Sequence, residues 1–203
     1  MAGHSKWSTI KHKKGAADAK RGKLFAKLIR QVEVAARNGG GDLDANPTLR
    51  TMFQKARDAS VPLDTIERAV KRGTGELEGV TYEEVTYEGY APNGVAVFVE
   101  ALTDNRNRTG PEMRALFSKL GGSMAEPGSV AWQFERKGIV RVPGSVPEDD
   151  LMLVALDAGA EDIREEGGGW TVVCEPSSTA AVRHAIEEAG IEVESSDLTM
   201  LPT

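Results

Sequence analysis

Apolar residues in the first third of the chain recur three or four positions apart. Over Ala17 to Arg37 they fall at Leu24, Phe25, Leu28, Ile29, Val32 and Ala36, one stripe of an amphipathic helix facing a core. On the other side Lys20, Lys23, Lys27, Arg30 and Arg37 repeat at the same spacing, a basic ridge about 25 Å long at 1.5 Å per residue. Asn38 and Gly39 to Gly41 stop the helix. Asn46 and Pro47 have the cap-then-proline order of a second helix, with Leu49, Met52, Phe53 and Ala56 inward. Pro62 opens a third, with Leu63, Ile66 and Val70 inward, Arg68, Lys71 and Arg72 toward solvent and Gly73 as its stop. The pattern predicts a three-helix bundle, followed by a hinge at GTGELEG, Gly73 to Gly79. Met1 to Gly15, short of apolar residues and rich in Lys, is expected to be a tail that orders on a partner.

The period then changes. Val85 and Tyr87 alternate with polar neighbours and Val95 to Val99 is an apolar run, which predicts two paired strands. Thr109 with Glu112 reads as a capping box for a helix carrying Met113, Leu116, Phe117 and Leu120, and Val130, Trp132 and Phe134 alternate as a further strand. From Lys137 a second unit starts: a strand at Ile139 to Val142, a helix capped by Ser145 and Glu148, strands near Asp162 to Glu165 and Trp170 to Cys174, a helix over Val182 to Ala189 and a strand from Ile191. That order, βαββαβ, is ferredoxin-like. The first α/β unit would need one more helix and strand to match it, so the chain is expected to stop before its natural end. The fold class is therefore α+β and multidomain: an N-terminal three-helix bundle plus two α/β domains, at least one of them ferredoxin-like. The expected boundaries are 1–76, then 77–136 together with 198–203, with 137–197 inserted.

Composition narrows the function. At 203 residues and 40% hydrophobic content the chain can form more than one core. A single cysteine, Cys174, excludes a disulfide scaffold, and its place at the end of an apolar strand reads as a buried thiol. No segment is apolar enough to span a bilayer and no signal-peptide core follows the basic start, so a cytoplasmic protein is expected. Charge changes the picture most. Residues 1–74 hold sixteen basic and seven acidic side chains, a net of +9, while the other 129 carry nine and twenty-four, a net of −15. A basic face attracts phosphate backbones and an acidic one repels them, which points to one-sided contact with nucleic acid.

The candidate interface is the tail and ridge: Lys6, Trp7, Lys11, His12, Lys13, Lys14, Lys20, Arg21, Lys23, Lys27 and Arg30, with Asp18 as the one acid among them. Lys and Arg neutralise phosphates and an indole stacks on a base. Arg68, Lys71 and Arg72 extend the basic set. Arg106 and Arg108, beside Asn107 and Thr109 between a strand and a helix, read equally as an anion clamp or as a capped loop paired to nearby Glu. His4 and His12, eight apart with no Cys, are tail residues and not metal ligands, and His184 is a surface residue. The glycine strings match no phosphate loop and read as turns. Residues Lys137 to Asp197 are net −10 and their strands lack paired exposed aromatics, so RNA should avoid them and a protein contact is expected there. No catalytic motif, metal site or cofactor loop is found, and a non-enzyme is expected.

The strings AGHSKWSTIKHKKGAADAKRGKLF, NPTLR, VPLDTIERAVKRGTGE and TDNRNRTGPEMR closely resemble the YebC/PmpR family, whose mitochondrial relative is the translational activator of cytochrome c oxidase subunit I. The resemblance runs over essentially the whole chain. It implies a helical first domain and two α/β domains, the third inserted in the second. It also implies one of two activities: a transcriptional regulator that binds DNA through the basic domain, or a translation factor that binds ribosomal or transfer RNA and assists synthesis through proline-rich stretches. A protein-binding adaptor is the lesser alternative. No membrane contact is expected.

Overall fold

A computed structural model describes the backbone from Lys6 to Thr203 and side chains from Lys20 onward. The bundle consists of α1 (Lys6–Gly39), α2 (Pro47–Asp58) and α3 (Leu63–Gly73). α1 thus begins at Lys6, inside the segment expected to be a tail, and at 34 residues is about 51 Å long. Leu28, Val32, Ala36, Leu49, Met52, Ala56, Ile66 and Ala69 form the buried core of the bundle, close to the stripes the periodicity marked. Leu24 and Leu63, both expected inward, are the exceptions and are exposed. Asn46 caps α2 by accepting from the Leu49 N–H at 3.0 Å and ties the loop back to α1 by donating to the Ala35 and Gly40 carbonyls.

α3 meets α1 with no room for a side chain at Gly73. A Cβ there would lie 2.4 Å from the Glu33 carbonyl oxygen and 2.7 Å from Ala36 Cβ. The expected hinge therefore opens on a packed residue, and Thr74 and Glu76 N–H groups close the helix end on Val70 and Lys71.

The second domain holds β1 (Glu83–Tyr90), β2 (Ala96–Thr103), α4 (Arg106–Lys119) and β3 (Ser123–Ala125), with sheet order β2-β1-β3 and antiparallel pairing throughout. Asn105 caps α4 through the Arg108 N–H, in place of the Thr109 and Glu112 capping box expected from sequence. Of the apolar stripe on α4 only Phe117 is buried. The strand expected over Val130, Trp132 and Phe134 is instead a 3-10 turn at Ala131–Gln133. Val130 is buried but Trp132 is 75% exposed, because the turn replaces alternation. Glu88, 6% exposed, holds this turn by accepting from the N–H groups of Gly128, Val130 and Ala131 at 2.6, 2.7 and 2.8 Å.

The third domain follows the βαββαβ order: β4 (Phe134–Pro143), α5 (Glu148–Asp157), β5 (Ala160–Glu166), β6 (Gly169–Cys174), α6 (Thr179–Glu188) and β7 (Ser195–Pro202). The sheet order β5-β6-β4-β7, antiparallel throughout, is that of a ferredoxin-like sandwich. Three boundaries differ from expectation: Pro147, not Ser145, precedes α5; β7 begins at Ser195, four residues beyond Ile191; and residues 198–202, expected with the second domain, continue β7 in this sheet, paired with 134–138 of β4. Gly167 and Gly168, both at positive φ, make the tight turn between β5 and β6. Val140, Val142, Leu151, Ala155, Val172, Cys174, Val182 and Ile186 form the core. Burial pushes the Cys174 thiol above its ordinary range, as befits a core residue.

The bundle is fastened to this domain by two ion pairs. Arg183, 9% exposed, donates to Asp58 at 2.6 and 3.0 Å and to Ser196, and Lys55 reaches Asp197 at 2.5 Å.

Candidate nucleic-acid interface

α1 changes character along its length. From Lys20 to Lys27 every position is exposed except the half-buried Phe25. Leu24, expected in the core, is 48% exposed, so this stretch stands beyond the bundle. From Leu28 the helix is packed, and Val32 to Ala36 are five consecutive buried residues. A helix packed on one side cannot bury five in a row. Its other side is covered by the α/β domains: Val34 and Ala35 share a cleft with Glu84 and Leu102 of the second and with Arg136 and Leu198 of the third.

The basic ridge divides at the same place. Lys20, Arg21, Lys23 and Lys27 are exposed, and none forms an ion pair among the described residues. Arg21 lies 5.9 Å from the Phe25 ring centroid. Arg30 is also exposed but stacks its guanidinium on Tyr82, 4.8 Å from the ring centroid. Arg37 is spent on protein, donating to the Tyr82 carbonyl at 2.6 Å and to Glu33 at 3.5 Å. The ridge expected to run to Arg37 is open only from Lys20 to Arg30, about 15 Å of helix. Lys6, Trp7, Lys11, His12, Lys13 and Lys14 belong to the same helix, and their side chains lie outside the described residues. His4 lies outside them altogether.

The remaining basic candidates are placed differently. Arg72 is half-buried against Glu33 at 3.1 Å, Arg68 is paired with Asp64 one turn away, and Lys71 is exposed. Arg106 pairs with Glu83 at 3.2 Å and Arg108 with Asp104. Of the two readings of this loop, the capped and paired one describes what is seen, and Asn105 already occupies the Arg108 N–H. The Arg108 hydrogen bond holds the Asp104 carboxyl below its ordinary range, and Arg30 adds to the effect from α1. Arg106 holds Glu83, the neighbour of the Tyr82 on which Arg30 stacks, so the start of α4 lies beside the lower end of the ridge.

Two residues of this region escaped the periodicity. Tyr82 precedes β1 and shows no sequence signal for its stacking role. Glu33, 3% exposed between Arg37 and Arg72, had one: it is the sole acid between Lys20 and Gly41. A buried carboxylate needs internal cations, and α3 supplies one.

The third domain offers no comparable cluster of cations among the described residues: Arg141 is exposed without an ion pair, but it stands alone. Lys137 is held by Glu135, Glu161 and Glu175, which push its ammonium pKa up, and Arg164 pairs with Asp162. The sheet face away from the helices carries Ile139, Arg141, Thr171 and Val173, with no aromatic among them, and Trp170 packs on the core with its Nε1–H on the Val146 carbonyl. Among the described residues no three His, Cys, Asp or Glu side chains gather as a metal site, and no helix is long and apolar enough to cross a membrane. His184 is exposed and faces Glu188.

Comparison with known proteins now decides the family. Residues 5–76 match the N-terminal domain of TACO1/YebC proteins, and residues 82–203 match their second and third domains. The chain belongs to the TACO1/YebC family. A relative from Desulfatibacillum aliphaticivorans is 59% identical over 203 residues, spanning all of this chain and 82% of its own length. One from Rubrobacter xylanophilus is 60% identical over 204 residues, with the same coverage. Both carry the name probable transcriptional regulatory protein. The crystal structure of a conserved hypothetical protein of Aquifex aeolicus superposes with a TM-score of 0.82 at 47% identity, covering 91% of this chain and 76% of that one. The α+β, multidomain architecture is thus that of the TACO1/YebC fold, and the projecting α1 belongs to its N-terminal domain.

Proposed function

We propose that this TACO1/YebC protein is a non-enzymatic regulator of gene expression that grips nucleic acid by its phosphate backbone, through the exposed arm of α1. The observation that carries this reading is the run Lys20, Arg21, Lys23 and Lys27, solvent-exposed and without ion pairs among the described residues, on a stretch of helix standing beyond its own bundle. Exposed cations kept apart from carboxylates leave their field open to an anionic partner, and a phosphate backbone that meets them gains by releasing its counterions. The names of the relatives favour transcription as the process regulated. Lys6, Lys11, Lys13 and Lys14 would extend the same contact, with Trp7 able to stack.

The contact reads backbone and shape. α3 follows α2 after a short turn, as a base-reading helix would, but its outward positions are Asp64, Glu67, Arg68 and Lys71, and Arg68 is held by Asp64. Carboxylates there repel phosphates and occupy the donor that base edges would need. Structured RNA on the ribosome is favoured by the same observation and is the second reading. The net −10 third domain faces away from phosphate and suits a protein partner.

Two measurements test this. The affinity of the full chain for a duplex should fall steeply with salt, with a log-log slope of about −0.9 per phosphate neutralised. Crosslinking in cells with sequencing of the bound nucleic acid should then give reads at promoters for transcription, or in ribosomal and transfer RNA for translation. Salt-independent binding, or no nucleic acid recovered, would sink the proposal.

A further inference from the structure

The last open cation of the basic ridge is held by a different domain from the one that carries it. Arg30 continues the line of Lys23 and Lys27 along α1, at i+7 and i+3 from them. Its guanidinium lies 4.8 Å from the ring centroid of Tyr82, the first residue of the segment matched to the second and third family domains. Two turns further along α1, on the same side, Arg37 donates to the main-chain carbonyl of that tyrosine at 2.6 Å. Tyr82 is thus pinned to α1 twice, by its ring and by its carbonyl, and is half-buried there.

The stack changes what Arg30 can do. Lys20, Lys23 and Lys27 end in compact ammonium groups on flexible stems, and each loses rotamer freedom when it meets a phosphate. A guanidinium is a planar fork of N–H donors that matches two oxygens of one phosphate. An aromatic ring against its face fixes that plane in advance and leaves the donor edge open. Arg30 is exposed, and among the described residues no ion pair takes it; Glu83, next to Tyr82, is held instead by Arg106 at 3.2 Å. Arg21 also meets a ring, that of Phe25 at 5.9 Å, but Phe25 stands on the same helix, so that contact owes nothing to the second domain.

We propose that Tyr82 is a positioning residue for nucleic-acid binding. It orients Arg30 so that the guanidinium takes one backbone phosphate through two N–H groups, where the lysines hold theirs by charge alone. Tyr82 itself touches no nucleic acid. The inference rests on the phosphate-gripping role of α1 and adds that the second domain completes the grip. The arm therefore binds at full strength only while the second domain is docked on α1 through Tyr82.

The test measures fluorescence anisotropy of the full chain with a labelled DNA duplex and, separately, a labelled RNA hairpin, each over a salt series. Tyr82→Ala is expected to weaken binding of both about 5-fold, and Tyr82→Phe to keep it within about 2-fold, because a phenyl ring preserves the stack. Arg30→Lys keeps the charge but loses the fork, so an affinity loss of about 5-fold should come with an unchanged salt slope. With Arg30→Ala already in place, adding Tyr82→Ala should cost less than about 2-fold, since the tyrosine acts through that arginine. Arg37 bonds the main chain of Tyr82, so these variants keep that fastening and their circular dichroism should match the wild type. Full affinity in Tyr82→Ala or in Arg30→Lys overturns the proposal. So does a Tyr82→Ala loss that Tyr82→Phe shares or that persists with Arg30→Ala in place. Lys20→Glu with Lys23→Glu separates the two ideas: if that pair weakens binding while Tyr82→Ala does not, the backbone grip stands and the positioning role falls. If the pair has no effect on either ligand, the grip itself is wrong and the positioning role goes with it.

Discussion

The bundle and the ferredoxin-like domain handle their charges in opposite ways. On the open arm of α1, Lys20, Arg21, Lys23 and Lys27 stand apart from carboxylates, so their field reaches solvent. In the third domain most cations are consumed: Lys137 by three glutamates, Arg164 by Asp162, Arg183 by Asp58 and Glu187, while Arg141 stands alone on the sheet face, exposed and bonded to the Thr171 hydroxyl. Net charge alone therefore understates the contrast, because pairing cancels local field. What distinguishes a binding face from a charged surface is cations left without partners.

The largest expected effect strikes at that difference. Lys20→Glu, Lys23→Glu and Lys27→Glu together should lower affinity for nucleic acid by about 100-fold or more and flatten the salt slope by about one per phosphate lost, measured by fluorescence anisotropy over a salt series. Charge reversals of equal size on the acidic side, Glu148→Lys, Asp149→Lys and Asp150→Lys, should leave specific affinity within about 2-fold; a comparable gain would mean that total charge, not the arm, governs binding.

Next comes the fastening between the two regions. Asp58→Ala leaves Arg183 with its bidentate partner gone and should cost about 3 kcal/mol, read by urea denaturation of the full chain. A loss under about 1 kcal/mol would mean that the bundle and the third domain are held mainly by other contacts. Gly73→Val should cost a similar amount within the bundle alone, since its Cβ already meets the Glu33 carbonyl.

A smaller effect concerns Glu88, the buried carboxylate in the second domain. Hydrogen bonds from the Gly128 and Val130 N–H groups hold its pKa below the ordinary value of 4.5. A lowered folded pKa stabilises above the unfolded value, so that share is present above about pH 4.5 and is lost as pH falls through the lower folded value. Glu88→Gln should cost about 2 kcal/mol at neutral pH and make stability fall less steeply below pH 4.5. Smallest of all, Arg106→Gln and Arg108→Gln should change nucleic-acid affinity less than about 2-fold, because Glu83 and Asp104 already hold them.

How much could be read from the chain differed by element. The three helices, the βαββαβ order and the buried Cys174 followed from periods of 3.6 and 2 and from turn residues, all local signals. Misses arose where a neighbour in space overrode the local pattern. Val130, Trp132 and Phe134 alternate like a strand, yet the Glu88 carboxylate, 42 residues from Val130, gathers the N–H groups of Gly128, Val130 and Ala131 and holds a turn ahead of Phe134. Leu24 repeats with Leu28, yet the bundle ends before reaching it. Arg37 belongs to the ridge by spacing, yet Tyr82 and Glu33 take it.

Sequence by itself determined the charge split, most of the helices and strands, and the family, because composition and periodicity are properties of neighbours along the chain. Only the tertiary structure decided where the basic ridge stops and what lies at its end. The second and third domains cover α1 from Val32 to Ala36, leave the lysines before it open, and form with it a cleft that includes Gln31. Those facts depend on which surfaces exclude water against one another, and that is settled by packing between residues far apart in sequence.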